Sequence, residues 1–143
     1  MTPEPSPGSL VLLTRLSRLV YRRATEDVLG MRLKQFVALN YLHHMPAGVG
    51  QRQLGDLLML DANNCVLLLN DIEAAGWAER RRDPEDRRRH IVEITDSGRE
   101  ALFRAEIALD GLEDEVLGAL SSEERDTLRD LLGRVMADKP VFA

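Results

Sequence analysis

The feature that most constrains the fold is the run of residues 54–95. It contains two short helical patterns, then Gly76, and then two strand-like stretches at residues 77–82 and 90–94 that flank an arginine-rich turn. A helix pair followed by a basic hairpin is typical of a winged helix-turn-helix, in which one helix enters the major groove of DNA. The hairpin, or wing, contacts phosphates or the adjacent minor groove. The sequence therefore predicts a DNA-binding regulator.

The distribution of charge supports this prediction although the total does not. The 143 residues have a formal net charge of −5, which by itself argues against a nucleic-acid partner, because duplex binding relies on cations placed at phosphates. Residues 80–90, however, contain six arginines and three acidic residues, whereas residues 96–143 contain six basic and twelve acidic residues. We therefore expect the basic hairpin to face DNA and the acidic C-terminal region to face away from it.

Apolar residues at helical spacing predict most of the remaining elements. The predicted helices are one ending near Gly30 and others at about residues 33–45, 51–58 and 62–75, with a turn at 47–50. Asp61 is expected to be the N-cap of the fourth helix, because its carboxylate can accept the free N–H groups of Asn63 or Asn64. Gly76 is expected to end that helix in a left-handed conformation.

Two further helices are predicted after the hairpin. Thr95 or Asp96 is expected to cap a long helix to about residue 117, and the capping box of Ser121 and Glu124 precedes a helix to about residue 137. The predicted fold is mainly α with a small β-hairpin wing, in a single domain that spans residues 1–143. Residues 33–95 form the winged helix-turn-helix lobe, and residues 9–30 and 96–138 form dimerisation helices, whose apolar seam a second subunit is expected to cover.

Several functional classes have little support. The sequence lacks a glycine-rich phosphate loop and the common hydrolase and metalloprotease motifs, so no enzymatic activity and no cofactor are predicted. His43, His44 and His90 lack the spacing of a metal site. Cys65, the single cysteine, is expected to be a buried core residue, with redox sensing as the alternative because it lies in the first turn of a helix.

A membrane location is not expected either. The apolar run at residues 65–69 is too short to span a bilayer, and the N-terminal segment TPEPSPGS has no basic start ahead of an apolar stretch. A single cysteine agrees with a reducing compartment. The sequence therefore predicts a cytoplasmic protein.

Two segments resemble the MarR family of bacterial transcription regulators. They are IEAAGWAERRRDPEDRRRHIVEITDSGREAL at residues 72–102 and LKQFVALNYLHHMPAGVGQRQLGDLL at residues 33–58. The resemblance implies a homodimer, most often a repressor, that binds a near-palindromic operator with half-sites roughly 10 base pairs apart. It also implies release from DNA when a small aromatic or phenolic effector binds, or when a cysteine is oxidised.

The wing contains the first group of candidate DNA-binding residues, Arg82, Asp86, Arg87, Arg88 and Arg89. A planar guanidinium fits a narrow, electronegative minor groove, and a carboxylate can orient it beforehand. In the family, the aspartate that matches Asp86 pairs with an arginine and so holds the wing tip. The alternative is a solvated, charged turn, in which surface ion pairs contribute little.

The second group lies on the helix pair. Ala62, Asn63, Asn64 and Leu67 are the exposed early positions of the predicted recognition helix, where asparagine can bind adenine and alanine can contact a thymine methyl group. The chain departs from the family here, because residues 60–76 include no lysine or arginine. The asparagines could instead serve only to begin the helix. We expect the missing cation to shift phosphate contacts to the wing and to Gln51, Arg52 and Gln53.

Two questions stay open at this stage. Arg15 and His43 are the weak candidates for an effector site, because a guanidinium or an imidazole could meet a carboxylate ligand, although a helix-end histidine exposed to solvent is the simpler interpretation of His43. A winged-helix protein-interaction module that has lost most DNA affinity is the alternative function, suggested by the acidic total charge and the cation-free recognition helix.

Overall fold

A computed structural model describes residues 7–137 of the chain. The elements follow the order α1 (Ser9–Arg23), α2 (Glu26–Leu29), α3 (Leu33–His43), β1 (Val49–Gly50), α4 (Gln51–Leu57), α5 (Ala62–Ala74), β2 (Ala78–Arg82), β3 (His90–Ile94), α6 (Asp96–Val116) and α7 (Ser122–Ala137). The fold is mainly helical with one small antiparallel sheet, as the sequence predicted. Residue 138, the predicted end of the C-terminal dimerisation segment, lies outside the described residues.

The sheet has three strands in the order β1-β3-β2, so the expectation of a two-stranded hairpin was incomplete. Val49, placed by sequence in a turn, pairs with Val92 of β3. Two residues are too few for a periodic pattern, and Gly48 before them has a φ of +91°. A Cβ at Gly48 would lie 2.6 Å from Ile91 Cγ2, so the close approach of β1 to β3 requires glycine.

The prediction that the first helix continues to Gly30 was wrong. Helix α1 ends at Arg23, Ala24 leaves the helical conformation, and Thr25 is extended before the short helix α2 begins. The break turns the chain inward, because Ala24, Leu29 and Met31 are all at least 97% buried. Burial of these apolar side chains offsets the helical hydrogen bonds that are lost at the break.

The core lies between α3, α5, α6 and the sheet. Its most completely buried large side chains are Met31, Leu39, Leu42, Leu54, Leu69, Ile72, Leu102 and Val92. Helices α1 and α7 contribute no buried residue to it. Apolar side chains on these two helices, including Leu10, Leu13, Leu132 and Val135, are instead between 39% and 78% exposed.

The caps predicted from sequence are confirmed. The Asn64 amide donates to Asp61 Oδ1 at 2.8 Å, and Gly76 ends α5 with a φ of +80°. Thr95 Oγ1 accepts the Gly98 amide at 3.0 Å at the start of α6. The same hydroxyl donates to the Gly76 carbonyl at 2.6 Å, which joins the end of α5 to the start of α6.

Candidate nucleic-acid interface

Helices α4 and α5 form the helix-turn-helix, and a tight turn sets their angle. The Leu60 amide donates to the Gly55 carbonyl at 2.9 Å, and Met59 has a φ of +56°, a left-handed conformation that usually requires glycine. A Cβ at Gly55 would lie 3.3 Å from Cys65 Sγ, so the absence of a side chain brings α4 close to α5. This contact buries Cys65 and leaves the opposite face of α5 in solvent.

The candidate residues on α5 are all exposed, but not all of their side chains are free to bind DNA. Ala62, Asn63, Asn64 and Leu67 line the solvent side of the first two turns. The Asn64 side chain donates to Asp61 Oδ2 at 3.0 Å, so it is occupied by the cap. Asn63 makes no side-chain hydrogen bond within residues 7–137, and its amide is free to meet a base.

The tip of the wing is held by Asp86. Its Oδ1 accepts the Arg88 backbone amide at 3.1 Å and Arg88 Nε at 3.2 Å, and its Oδ2 lies 3.5 Å from Arg89 Nε. The hydrogen bonds from Arg88, and then the charge of Arg89, hold the pKa of the Asp86 carboxyl below its ordinary value. The carboxylate is therefore ionised at neutral pH and orients a guanidinium that is 92% exposed.

Two further arginines complete the tip. Arg82 Nη1 donates to the Arg87 carbonyl at 3.0 Å, and the Asp83 amide donates to the Arg89 carbonyl at 2.9 Å, so the two ends of the turn are tied together. The Arg87 side chain is exposed and makes no ion pair with any residue that the structure describes. The structure thus brings Arg82, Arg87, Arg88 and Arg89 to one basic tip.

Arg80 and Arg81 do not belong to the basic tip but form ion pairs within the lobe, which the sequence did not indicate. Arg80 Nε donates to Glu73 Oε2 at 2.8 Å and its Nη2 to Asn70 Oδ1 at 2.7 Å, so it connects β2 to α5. Arg81 pairs across the sheet with Glu93 at 2.8 Å. Arg80 is thus a positioning residue that sequence analysis missed. The sequence feature that could have indicated this role is Glu73, an acidic residue seven positions before Arg80 and on the other side of the turn at Gly76.

The start of α4 adds a third exposed group. Arg52 and Gln53 are exposed, whereas Gln51 is half-buried and its carbonyl faces Cys65 Sγ at 3.6 Å. Gln51 is therefore the least accessible of the three residues. Arg32, the residue before α3, donates from Nη2 to Asp71 Oδ2 at 2.5 Å and ties the start of α3 to the exposed face of α5.

Of the two weak candidates for an effector site, His43 lines a surface depression and Arg15 does not. His43 lines a shallow depression of about 320 Å³ with five residues of α6, namely Arg99, Glu100, Leu102, Phe103 and Glu106. Arg15 is exposed on α1 and is not among the lining residues. The depression therefore includes only one of the two candidates.

Cys65 is 3% exposed, as the sequence predicted for a core residue. Burial raises the pKa of its thiol, and the positive charge of Arg80 opposes that shift only in part. The described residues contain no cluster of three or more metal-ligating side chains. Within the same part of the chain, no helix is both long and apolar enough to cross a membrane.

Comparison with known proteins identifies the family. The model of the MarR family matches residues 29–89. The chain is 30% identical over 140 residues to the HTH-type transcriptional regulator PecS of Dickeya dadantii, covering 93% of this chain and 84% of PecS. It is also 31% identical over 110 residues to YdgJ of Bacillus subtilis, an uncharacterized HTH-type transcriptional regulator, covering 77% of this chain and 66% of YdgJ.

The fold agrees with this relationship. The transcriptional repressor CouR, solved bound to a 23-mer DNA duplex, superposes with a TM-score of 0.77 and 29% identity, covering 94% of this chain and 99% of CouR. The chain belongs to the MarR family of DNA-binding transcriptional regulators, which is not a family of enzymes. It spans 66% of the length of YdgJ and 53% of the length of a putative regulatory protein from Thauera aromatica, two of its curated relatives.

Proposed function

We propose that the protein represses transcription by binding, as a homodimer, a pseudo-palindromic operator through the wing and the exposed face of α5. The observation that carries this proposal is the basic tip, which brings Arg82, Arg87, Arg88 and Arg89 together and in which the Asp86 carboxylate orients Arg88. Of the six arginines within residues 80–90, Arg80 and Arg81 are held by partners on α5 and β3. The four arginines of the tip remain to match a phosphate backbone and a narrow minor groove. CouR bound to a DNA duplex offers a parallel for the mode of binding.

The homodimer is supported by apolar surface that a single chain leaves in water. Helices α1 and α7 are amphipathic yet bury no residue, and Leu10, Val11, Val135 and Met136 are more than half exposed. Monomeric proteins rarely leave large apolar patches exposed. A two-fold dimer would cover both helices and place two wings on the two halves of one operator.

The proposal includes a small effector of the aromatic or phenolic class, which the family resemblance suggests, and it places the protein with its DNA target in the bacterial cytoplasm. An effector site would have to couple ligand binding to the spacing of the two lobes. The depression beside His43 lies between α3 of the lobe and the long helix α6, so a ligand there would contact both units.

Three single substitutions test the DNA surface. Arg87→Ala and Arg88→Ala should each weaken operator binding by about 1 to 3 kcal/mol, because each removes one guanidinium from the wing. Arg104→Ala is the matched control, since Arg104 is an exposed arginine of α6 that lies outside the wing. It should leave operator affinity unchanged.

Fluorescence anisotropy with an operator duplex supplies the affinities, and analytical ultracentrifugation checks that each variant keeps its oligomeric state. If the Arg87 and Arg88 variants bound the operator as tightly as the wild type, the wing would not be part of the DNA interface. A monomeric wild-type protein at micromolar concentration would contradict the homodimer.

A protein-interaction module is the second candidate function, favoured by one observation. Residues 60–76 contain no cation, and two apolar side chains in or next to this segment are exposed: Met59 before α5, at 75%, and Leu67 in the middle of α5, at 54%. A protein partner held by apolar contacts would bind with little dependence on salt, whereas operator binding should weaken steeply as salt rises.

A further inference from the structure

The exposed face of α5 contains a ridge formed by Asn63, Leu67 and Asn70. These residues are spaced four and three positions apart, so they lie along one face of the helix. All three are exposed, while Cys65, Leu68, Leu69 and Ile72 fill the opposite face. The ridge therefore defines which chemical groups α5 can present to a major groove.

Only part of the ridge is chemically available. Asn70 Oδ1 accepts Arg80 Nη2 at 2.7 Å, and Arg80 is held in place by Glu73 at 2.8 Å. The neighbouring Asn64 is committed to the cap at Asp61. On this ridge, Asn63 is the asparagine whose amide donor and acceptor are both available to a base, and Leu67 supplies the one apolar side chain.

The absence of cations on α5 limits the bases that it can select. Residues 60–76 include three acidic residues, Asp61, Asp71 and Glu73, and no lysine or arginine. The common contact to guanine is a bidentate arginine or lysine at O6 and N7, which this helix lacks. Among the other groups in the major groove, an asparagine amide matches the adenine edge, and the C5 methyl of thymine is the one apolar group that a base presents there.

Leu67 is the apolar side chain placed to meet that methyl group. Its side chain is 54% exposed although it lies in the middle of the helix, and no neighbouring element of the described chain covers it. Contact with a methyl group would remove apolar surface of both partners from water, whereas contact with any other base edge would bury unpaired polar atoms.

We infer that Leu67 is a specificity-determining residue that selects thymine in each operator half-site by contact with its C5 methyl, near an adenine bound by Asn63. Residues four apart on a helix are separated by about 6 Å along the axis, and base pairs by about 3.4 Å. The thymine therefore lies one or two base pairs from the adenine. This inference rests on the proposed operator binding and specifies which base pairs that binding selects.

Replacement of thymine by deoxyuridine tests the inference, because it removes the methyl group and leaves every hydrogen-bonding atom in place. The probe is a duplex selected by the wild-type protein from a random library, with each thymine replaced in turn. At the thymine that Leu67 contacts, the loss of one buried methyl group should weaken wild-type binding about fourfold. Thymines elsewhere in the duplex should show no such loss.

The Leu67→Ala variant completes the test as a two-by-two cycle. It should bind the unmodified duplex about four- to tenfold more weakly, should lose the deoxyuridine penalty, and should retain its affinity for non-specific DNA. Val28→Ala is the matched control, because Val28 is also exposed, at 47%, and lies in α2. That variant should keep both the affinity and the penalty.

A deoxyuridine penalty that persists unchanged in Leu67→Ala would overturn the inference, and so would a wild-type protein indifferent to every deoxyuridine. If binding in that case still depended on salt and on Arg88, the proposed function would stand and only the role of Leu67 would fall. If the wild-type protein selected no duplex at all, the proposed function and the inference would fall together.

Discussion

Replacing Gly98 by alanine perturbs the point where the wing, α5 and α6 meet. A Cβ at Gly98 would lie 2.1 Å from the Trp77 carbonyl oxygen and 2.9 Å from Ile94 Cγ1. The Trp77 oxygen cannot turn away freely, because it accepts the Thr95 amide at 3.0 Å. To reach van der Waals contact, the first turn of α6 would have to move about 1 Å away from the start of β2.

The cost can be bounded from known cases of overcrowding. Forcing a side chain into a packed site costs about 1 to 3 kcal/mol, and the obstacle at Gly98 is backbone rather than the end of a flexible side chain. Gly98 is the third residue of α6, so the higher helix propensity of alanine offsets at most about 1 kcal/mol. We expect Gly98→Ala to lower the free energy of unfolding by about 2 kcal/mol.

Gly111→Ala is the matched control in the same helix. Gly111 is exposed, and a Cβ there would have no atom within 4 Å. This variant should raise the free energy of unfolding by about 0.5 to 1 kcal/mol, because alanine loses less conformational entropy in a helix. Urea denaturation at equal protein concentration compares the two variants with the wild type. If Gly98→Ala is as stable as Gly111→Ala, the close contact between α6 and β2 is refuted.

Three further predictions concern the wing, the core cysteine and the turn. Asp86→Ala should weaken operator binding although it removes a negative charge, because Arg88 loses the carboxylate that orients it; tighter binding in anisotropy would show that net charge alone matters. The pKa of the Asp86 carboxyl is lowered, so its stabilising effect is present above the ordinary carboxyl pKa of about 3.9 and is lost as pH falls through the lower folded pKa. Titration of Asp86 should therefore not change the affinity for operator DNA between pH 7 and 5. Cys65 should react slowly with a thiol reagent at pH 7.5 and quickly in urea, because the folded protein buries the thiol and raises its pKa. The stability that folding gains from the neutral thiol should be lost as pH rises above about 8.5. Fast reaction of the folded protein would contradict that burial. Met59→Gly should raise the free energy of unfolding, measured in urea, by about 0.5 kcal/mol, because glycine adopts the left-handed conformation without steric cost. A loss of stability would mean that contacts of the exposed Met59 side chain stabilise the fold by more than that steric cost.

Sequence analysis was most successful where short-range chemistry determines the structure. Asp61 and Gly76 mark the two ends of α5 because a cap and a left-handed residue act within one helical turn. The bounds of β3 and the capping box of Ser121 and Glu124 follow for the same reason. The hydrogen bonds between Asp86 and Arg88 also join residues that are neighbours in the chain.

The features that sequence analysis missed depend on contacts between distant segments. The strand β1 exists because β3 offers an unpaired edge, and the break after α1 exists because Ala24 and Leu29 are buried by the core. Met59 adopts a left-handed conformation against its own preference because the turn between α4 and α5 requires it. Arg80 was counted only as part of a basic cluster, since its partners on α5 become neighbours once the strand has folded back.

The most direct test of DNA binding is an anisotropy titration of the wild-type protein against the DNA upstream of its own gene, at roughly 50 and 200 mM salt with excess non-specific DNA. A regulator that uses several wing arginines on each subunit should bind tightly at the lower salt and resist the competitor. Its affinity should fall by at least about tenfold at the higher salt. Binding that the competitor abolishes, or whose affinity does not change with salt, would contradict sequence-specific operator recognition through the wing.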